Sequence, residues 1–311
     1  MGINLPTVGE KDLEFVKLAV KLDFDWIAMS FVRSPDDRLK VDQLLKKLKY
    51  SIPIIAKIEK SEAIEQLDDI IKSFDGILIA RGDLGLELEL EKVPSLQKKI
   101  VKKCNSKCTP VIIATQMLES MIHSPTPTRA EVSDVASAIY DGSDAIMLSG
   151  ETAVGEFPLE CVRMMKSIVL NVEKEISENE DFFSLITSPD KTNSRNAICS
   201  SAFQMAKDLS LKIMIVMTES GSTGNTISSF RPSASIFAMT PSDRVYRKLS
   251  LTWGVIPIKV RTFKSTDQML SFSRNFLIDN GIVKKDDQFI MTAGIPVGVT
   301  GSTNMIKIET V

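Results

Sequence analysis

Two apolar runs constrain the fold of this chain more than any other feature: Ile54-Ile55-Ala56 leading into Lys57-Ile58-Glu59, and Gly76-Ile77-Leu78-Ile79-Ala80 leading into Arg81-Gly82-Asp83. Short apolar runs separated by a helix-like segment predict parallel strands covered on both faces. Charge enters where the strands stop, which is where α/β barrels carry their functional groups. Lys57 and Glu59 are two apart, so on an extended strand they point to the same side. With Asp83 arriving from the next strand, two carboxylates and an ammonium share one mouth, a composition suited to a hard cation and a phosphate. The ordinary reading of these residues is a solvated ion pair and a Gly-Asp turn. Their position directly after residues that demand burial favours the functional one.

A strand-helix rhythm surrounds these runs. Helical spacing at 10–22 precedes a strand at 26–29, and helices at 35–48, 62–71, 94–104, 130–140 and 159–176 alternate with strands at 52–58, 77–80, 110–115 and 145–148. About five such units in succession predict a parallel α/β domain. Every strand ends in polar residues: Ser30, then Lys57 and Glu59, then Asp83, then Thr115-Gln116, then Ser149-Gly150-Glu151-Thr152. One such end is ordinarily a cap or turn. Five in a row point to a barrel, which gathers strand ends on one face, and the glycine fingerprint of a doubly wound sheet is not found after the first strand.

The polar stretch 177–194 reads as a linker between a partial (β/α) barrel domain at 1–176 and a separate α/β domain at 195–311. In the second domain a helix at 198–209 is followed by strands at 212–218, 235–240, 255–260, 288–293 and 305–310. Its first strand runs into Thr218-Glu219-Ser220-Gly221-Ser222-Thr223-Gly224, whose hydroxyls and backbone amides could cradle a phosphate, the alternative being an ordinary capped turn.

At 311 residues the chain has room for two domains, and a net charge of −2 gives no electrostatic reason to expect nucleic acid or an anionic membrane. Cys104, Cys108, Cys161 and Cys199 form no disulfide framework, and with the lone His123 distant in sequence they make a poor zinc site. The apolar runs are too short to span a bilayer and the N-terminus lacks the regions of a signal peptide, so a cytoplasmic location is expected.

Five segments are long enough to carry a family resemblance: Ile54–Lys60, Ala80–Gly85, Ala114–Met121, Pro127–Glu131 and Met147–Ala153. In order and spacing they resemble pyruvate kinase. The Thr218-x-Ser220-Gly221 loop and the late glycine-containing loop at 294–304 resemble that family's effector domain. The resemblance implies transfer of the phosphoryl group of phosphoenolpyruvate to ADP, giving pyruvate and ATP. It further implies Mg2+ or Mn2+ held by Glu59 and Asp83, Lys57 at the migrating phosphoryl group, and Thr115 near the carbon that is protonated. By the same likeness the amides of Gly82 and Asp83 hold the substrate carboxylate, and Ser30, Ser149 and Glu151 lie near the site. Arg129 matches an arginine at a subunit boundary of a homotetramer. Thr218, Ser220, Gly221, Ser222 and Thr223 match the place of a phosphorylated effector.

In the family, a first part of the barrel and a lid domain precede the region seen here. About three barrel strands are therefore expected to be absent, and with them the K+ ligands, the substrate-phosphate arginine and much of the nucleotide site. On that reading residues 1–311 alone have little or no activity. Two other readings fit the same residues: a Mg2+-dependent, pyruvate-forming aldol lyase, and a non-catalytic fragment keeping regulatory and subunit contacts. Lys57 is expected to matter for chemistry and not for folding, so that Lys57→Met keeps the thermal transition.

Overall fold

The computed structural model describes residues 6–178, 189, 193–298, 301 and 303–311. Two compact units, 1–186 and 187–311, divide the chain and are described separately.

In the first unit, strands β1 (Ile27–Met29), β2 (Ile54–Ile58), β3 (Gly76–Ala80), β4 (Val111–Ala114) and β5 (Ala145–Met147) lie side by side in sequence order, and every pairing is parallel. Sequential parallel order is the barrel arrangement. Among the described residues β1 and β5 form the two open edges. All five residues of β3 and all four of β4 are buried, as their unbroken Ile, Leu, Val and Ala content requires.

Helices α1 (Glu10–Lys21), α2 (Leu39–Lys47), α3 (Ser61–Glu65), α4 (Leu67–Ser73), α5 (Arg81–Glu87), α6 (Val93–Ser106), α7 (Arg129–Tyr140), α8 (Gly150–Ala153) and α9 (Pro158–Glu178) alternate with the strands. Ile58, Ile70, Ile79, Ile100, Ile113 and Val135 are fully buried members of one core between them. Two aspartates lock the lower ends of the strands. Asp75 Oδ2 accepts from Ile54 N at 3.0 Å, and Asp144 Oδ2 accepts from Val111 N at 2.9 Å.

Four expectations need correction. The segment at 35–48 is a 3-10 turn (Pro35–Arg38) followed by α2, because Pro35 pre-sets the first turn. The helix expected at 62–71 breaks at Gln66 into α3 and α4. Arg81-Gly82-Asp83, expected as a strand end, opens α5; Gly82 and Gly85 lower its intrinsic helix propensity and Ala80 offers no capping side chain, so the sequence hid it. Ser177 and Glu178 still belong to α9, and Ser194 already opens α10; most of the expected linker lies outside the described residues.

In the second unit β6 (Ile213–Met217), β7 (Ser235–Thr240) and β8 (Val255–Lys259) are parallel, β9 (Gln288–Gly294) pairs parallel with β6, and β10 (Thr303–Thr310) pairs antiparallel with β9. Helices α10 (Ser194–Asp208), α11 (Ser222–Ser228), α12 (Asp243–Leu249) and α13 (Thr266–Asp279) complete it. Separate apolar cores form on the two faces of the sheet, one around Met214, Val216 and Ile236, the other around Ile215, Met239 and Phe289. Among the described residues no helix is long and apolar enough to cross a membrane.

Candidate active site

Ser30, Lys57, Glu59, Gly82, Asp83, Thr115, Ser149 and Glu151 lie at or just beyond the C-terminal ends of neighbouring strands, whereas Arg129 opens α7. Lys57 and Glu59 do share a side: Lys57 Nζ lies 2.6 Å from Glu59 Oε1. Glu59 is 1% exposed, and its other oxygen accepts the Phe31 N–H at 2.6 Å. Lys57 also donates to Ser30 Oγ at 2.9 Å, so the ends of β1 and β2 are joined by one buried carboxylate and one ammonium. Phe31 adopts a left-handed conformation, φ 57°, which turns its amide toward Glu59.

On β4 the chain turns with two consecutive left-handed residues, Thr115 (φ 71°) and Gln116 (φ 54°). For non-glycine residues this costs on the order of 1–3 kcal/mol each and persists only where surrounding structure enforces it. Thr115 Oγ1 accepts from Gly82 N at 2.8 Å and donates to Ala114 O at 2.6 Å. The Gly82 amide, expected to hold a substrate carboxylate, is thus engaged by Thr115 in this conformation. Asp83 is exposed in the first turn of α5.

Two buried or half-buried carboxylates organise the loops beyond. Glu151, 3% exposed, accepts from Leu118 N at 3.1 Å and Ser149 N at 2.8 Å, tying the loops after β4 and β5 together. Gly155 lets the chain close over it, since a Cβ there would meet the Glu151 carbonyl oxygen at 2.4 Å. Glu131 caps α7 with Thr128 and accepts from Ser120 N at 2.7 Å. Burial works against ionising Glu131, but the hydrogen bonds from Ser120 and Thr128 outweigh it and hold its carboxyl below the usual range. Arg129, the first residue of α7, is exposed.

Sequence reasoning assigned no role to Arg81. Its side chain, 9% exposed, donates to Asp134 Oδ1 at 2.7 Å and to Thr115 O at 2.7 Å. The signal was present only as an arginine directly after a wholly apolar strand.

Glu59 and Asp83 suit a hard divalent ion, since both offer carboxylate oxygens and follow adjacent, paired strands. Each Glu59 oxygen has one protein partner, which leaves lone-pair capacity on both. Among the described residues no group of three or more His, Cys, Asp or Glu converges, so Glu59 and Asp83 would be the protein carboxylates offered to such an ion.

In the second unit, Thr218, Ser220, Ser222 and Thr223 line a pocket together with Arg261, Val297 and Thr303. The hydroxyls are mutually tied: Thr218 Oγ1 accepts from Gly221 N at 2.9 Å, Ser220 and Ser222 hydroxyls are 3.0 Å apart, and Thr223 meets Thr303 at 2.7 Å. Gly221 takes φ 85°, which an L side chain rarely adopts. Arg261, just beyond β8, is the cation that sequence reasoning missed here.

The class of protein defined by this arrangement is part of a parallel α/β barrel with its candidate functional side chains at the C-terminal strand ends, followed by a distinct α/β domain. Residues 1–162 match the family described as "Pyruvate kinase, barrel domain", and residues 196–309 match "Pyruvate kinase, alpha/beta domain". The chain belongs to the pyruvate kinase family. It is 44% identical over 312 residues to pyruvate kinases of Staphylococcus aureus strains MRSA252 and USA300, with 99% of this chain and 53% of each relative covered. The chain therefore spans about half the length of the curated relatives it matches. Membership in this family sets aside the aldol-lyase alternative.

Proposed function

We propose that the first unit carries part of a pyruvate kinase active site, at which the phosphoryl group of phosphoenolpyruvate passes to ADP to give pyruvate and ATP. The observation that carries this reading is the Lys57–Glu59 pair at the end of β2, bridged to Ser30 and Phe31 of the neighbouring strand, in a chain of this family. Glu59 and Asp83 would hold Mg2+ or Mn2+, which when bound neutralises phosphoryl and carboxylate oxygens. The Lys57 ammonium adds positive charge on the same side of β2, where a transfer that depends on positioning and charge neutralisation needs it. Thr115, held by Gly82, stands beside the enolpyruvate carbon to be protonated, and the amides of Gly82 and Asp83 receive the substrate carboxylate once the Gly82 N–H exchanges partners. Ser149 and Glu151 support the site by fixing the loops after β4 and β5.

K+ is expected as the second cofactor by family likeness. The pocket at Thr218, Ser220, Gly221, Ser222 and Thr223, faced by Arg261, would take a phosphorylated effector. By family likeness Arg129 would lie at a subunit boundary of a homo-oligomer, a tetramer in the family, and a cytoplasmic location without nucleic-acid or membrane partners is expected.

The test is metal-dependent exchange of the pyruvate methyl protons with solvent, which needs the metal site and Thr115 but not ADP. Residues 1–311 should catalyse it with Mg2+ or Mn2+ and lose it in Asp83→Asn. Exchange that survives both chelation and Asp83→Asn would refute the assignment.

A further inference from the structure

We propose that Arg81 is a positioning residue for the site: its guanidinium holds Thr115 and Gln116 left-handed, and Asp134 on α7 sets the orientation of that guanidinium. The catalytic meaning of this contact rests on the reading of Thr115 given above, whereas the contact itself does not.

Two consecutive left-handed non-glycine residues, one of them β-branched, do not arise without a local cause. Here both carbonyls are gripped by one group. Arg81 Nη2 donates to Thr115 O at 2.7 Å, and Gln116 O at 3.2 Å and Met117 Sδ at 2.9 Å are also within its reach, so the grip on Thr115 is the stronger of the two carbonyl contacts. Nη1 donates to Asp134 Oδ1 at 2.7 Å and reaches Gln97 Oε1 at 3.4 Å, so the planar fork is fixed from the opposite side. Gln97 is itself 4% exposed and held by Asp141, to which its amide donates at 3.0 Å.

Arg81 Nε is buried without a hydrogen-bond partner among the described residues. The guanidinium is therefore placed to serve the two carbonyls and Asp134, at some cost to its own hydrogen bonding. Lysine could not substitute, because a single ammonium lacks the fixed, divergent donors needed to span two carbonyls and a carboxylate. The next residue, Gly82, binds Thr115 Oγ1, so Arg81 and Gly82 together fix the backbone and the side chain of Thr115. Asp134 lies on the helix that begins at Arg129, so a shift of α7 would reach Thr115 through one carboxylate.

The Thr-Gln dipeptide occurs once in the sequence, so carbon-labelled threonine combined with nitrogen-labelled glutamine isolates the Gln116 amide and, through it, the Thr115 Cα shift. In residues 1–311 that shift should have its left-handed value. In Arg81→Lys it should move toward the extended-strand value while the melting temperature stays close to wild type, and in Asp134→Asn it should move part of the way. An unchanged Thr115 shift in folded Arg81→Lys overturns the proposal. Should Arg81→Lys fail to fold, Asp134→Asn decides: a moved shift supports the proposal and an unmoved one overturns it. Methyl-proton exchange of pyruvate is read in the same samples, where Arg81→Lys should fall about ten-fold or more with Mn2+ affinity unchanged. Absence of exchange in wild type would count against the catalytic reading alone, since the Thr115 shift still tests Arg81.

Discussion

Glu59 keeps its buried carboxylate paired by drawing the Lys57 ammonium to 2.6 Å from Oε1, across a single intervening residue of the same strand. This changes what substitution of Lys57 should do. From sequence, Lys57→Met was expected to leave the thermal transition intact. With Glu59 1% exposed, removing its counter-ion strands a buried charge. Breaking a buried pair from one side costs about 3–5 kcal/mol, and this is an upper bound here because the Lys57 side chain is 25% exposed and the Phe31 N–H remains. Thermal unfolding should show a lowered transition in Lys57→Met, partly restored by Mg2+. Unchanged melting would mean that the pair is solvated.

Metal binding gives a separate check. Mn2+ titrated into the wild-type chain and followed by water-proton relaxation should bind at least about ten-fold more tightly than to Asp83→Asn. Equal affinity would remove Asp83 from the ligand set.

Asp141 sits at the end of α7, where burial pushes its carboxyl above the usual range while the Gln97 hydrogen bond and Lys98 pull the other way. A carboxyl whose folded pKa exceeds the unfolded value contributes stability that is complete below the unfolded pKa and is lost as pH rises through the folded one. Asp141→Asn keeps an acceptor for Gln97 and removes the buried charge. It should melt higher than wild type at neutral pH, with the difference closing below the ordinary aspartate pKa. A difference that is constant with pH would contradict the sign.

Gly221→Ala places a methyl 3.3 Å from Leu249 Cδ2 at φ 85° and should destabilise the second unit by about 1–2 kcal/mol. In the wild-type chain, saturating sugar phosphate or AMP should raise the melting temperature, by an amount corresponding to about 2.7 kcal/mol at a hundred-fold excess over Kd. Arg261→Ala should weaken that response. No shift with any phosphorylated ligand would leave the loop as a capped turn.

Much of this was legible in the sequence because burial on both faces forces unbroken apolar runs: the strands expected at 77–80 and 110–115 are β3 (Gly76–Ala80) and β4 (Val111–Ala114). The Lys57–Glu59 side was equally legible, since strand periodicity alone puts the two together. What stayed hidden depends on contacts between distant residues. Arg81 acts through carbonyls thirty-four and thirty-five residues away, and no local pattern encodes that. The helix α5 begins without a side-chain cap and contains two glycines, so propensity argued against it. The left-handed turn at Thr115 and Gln116 contradicts local preference for the same reason: tertiary contacts impose it.

The edges β1 and β5, open among the described residues, make a direct measurement available. Phe15, Phe24 and Phe31 are exposed in the first unit, and an uncovered parallel edge invites pairing with another segment. Residues 1–311 should form little pyruvate from phosphoenolpyruvate, ADP, K+ and Mg2+, because a five-stranded sheet whose edges are open among the described residues gives the site no closed barrel around it, and positioning is worth many powers of ten in phosphoryl transfer. Adding, as a separate polypeptide, the part of a Staphylococcus aureus pyruvate kinase that this chain does not match should restore turnover, and Asp83→Asn should abolish it again. Turnover unaffected by Asp83→Asn, or none from a reconstituted and monodisperse complex, would contradict the assignment of these strand ends to phosphoryl transfer.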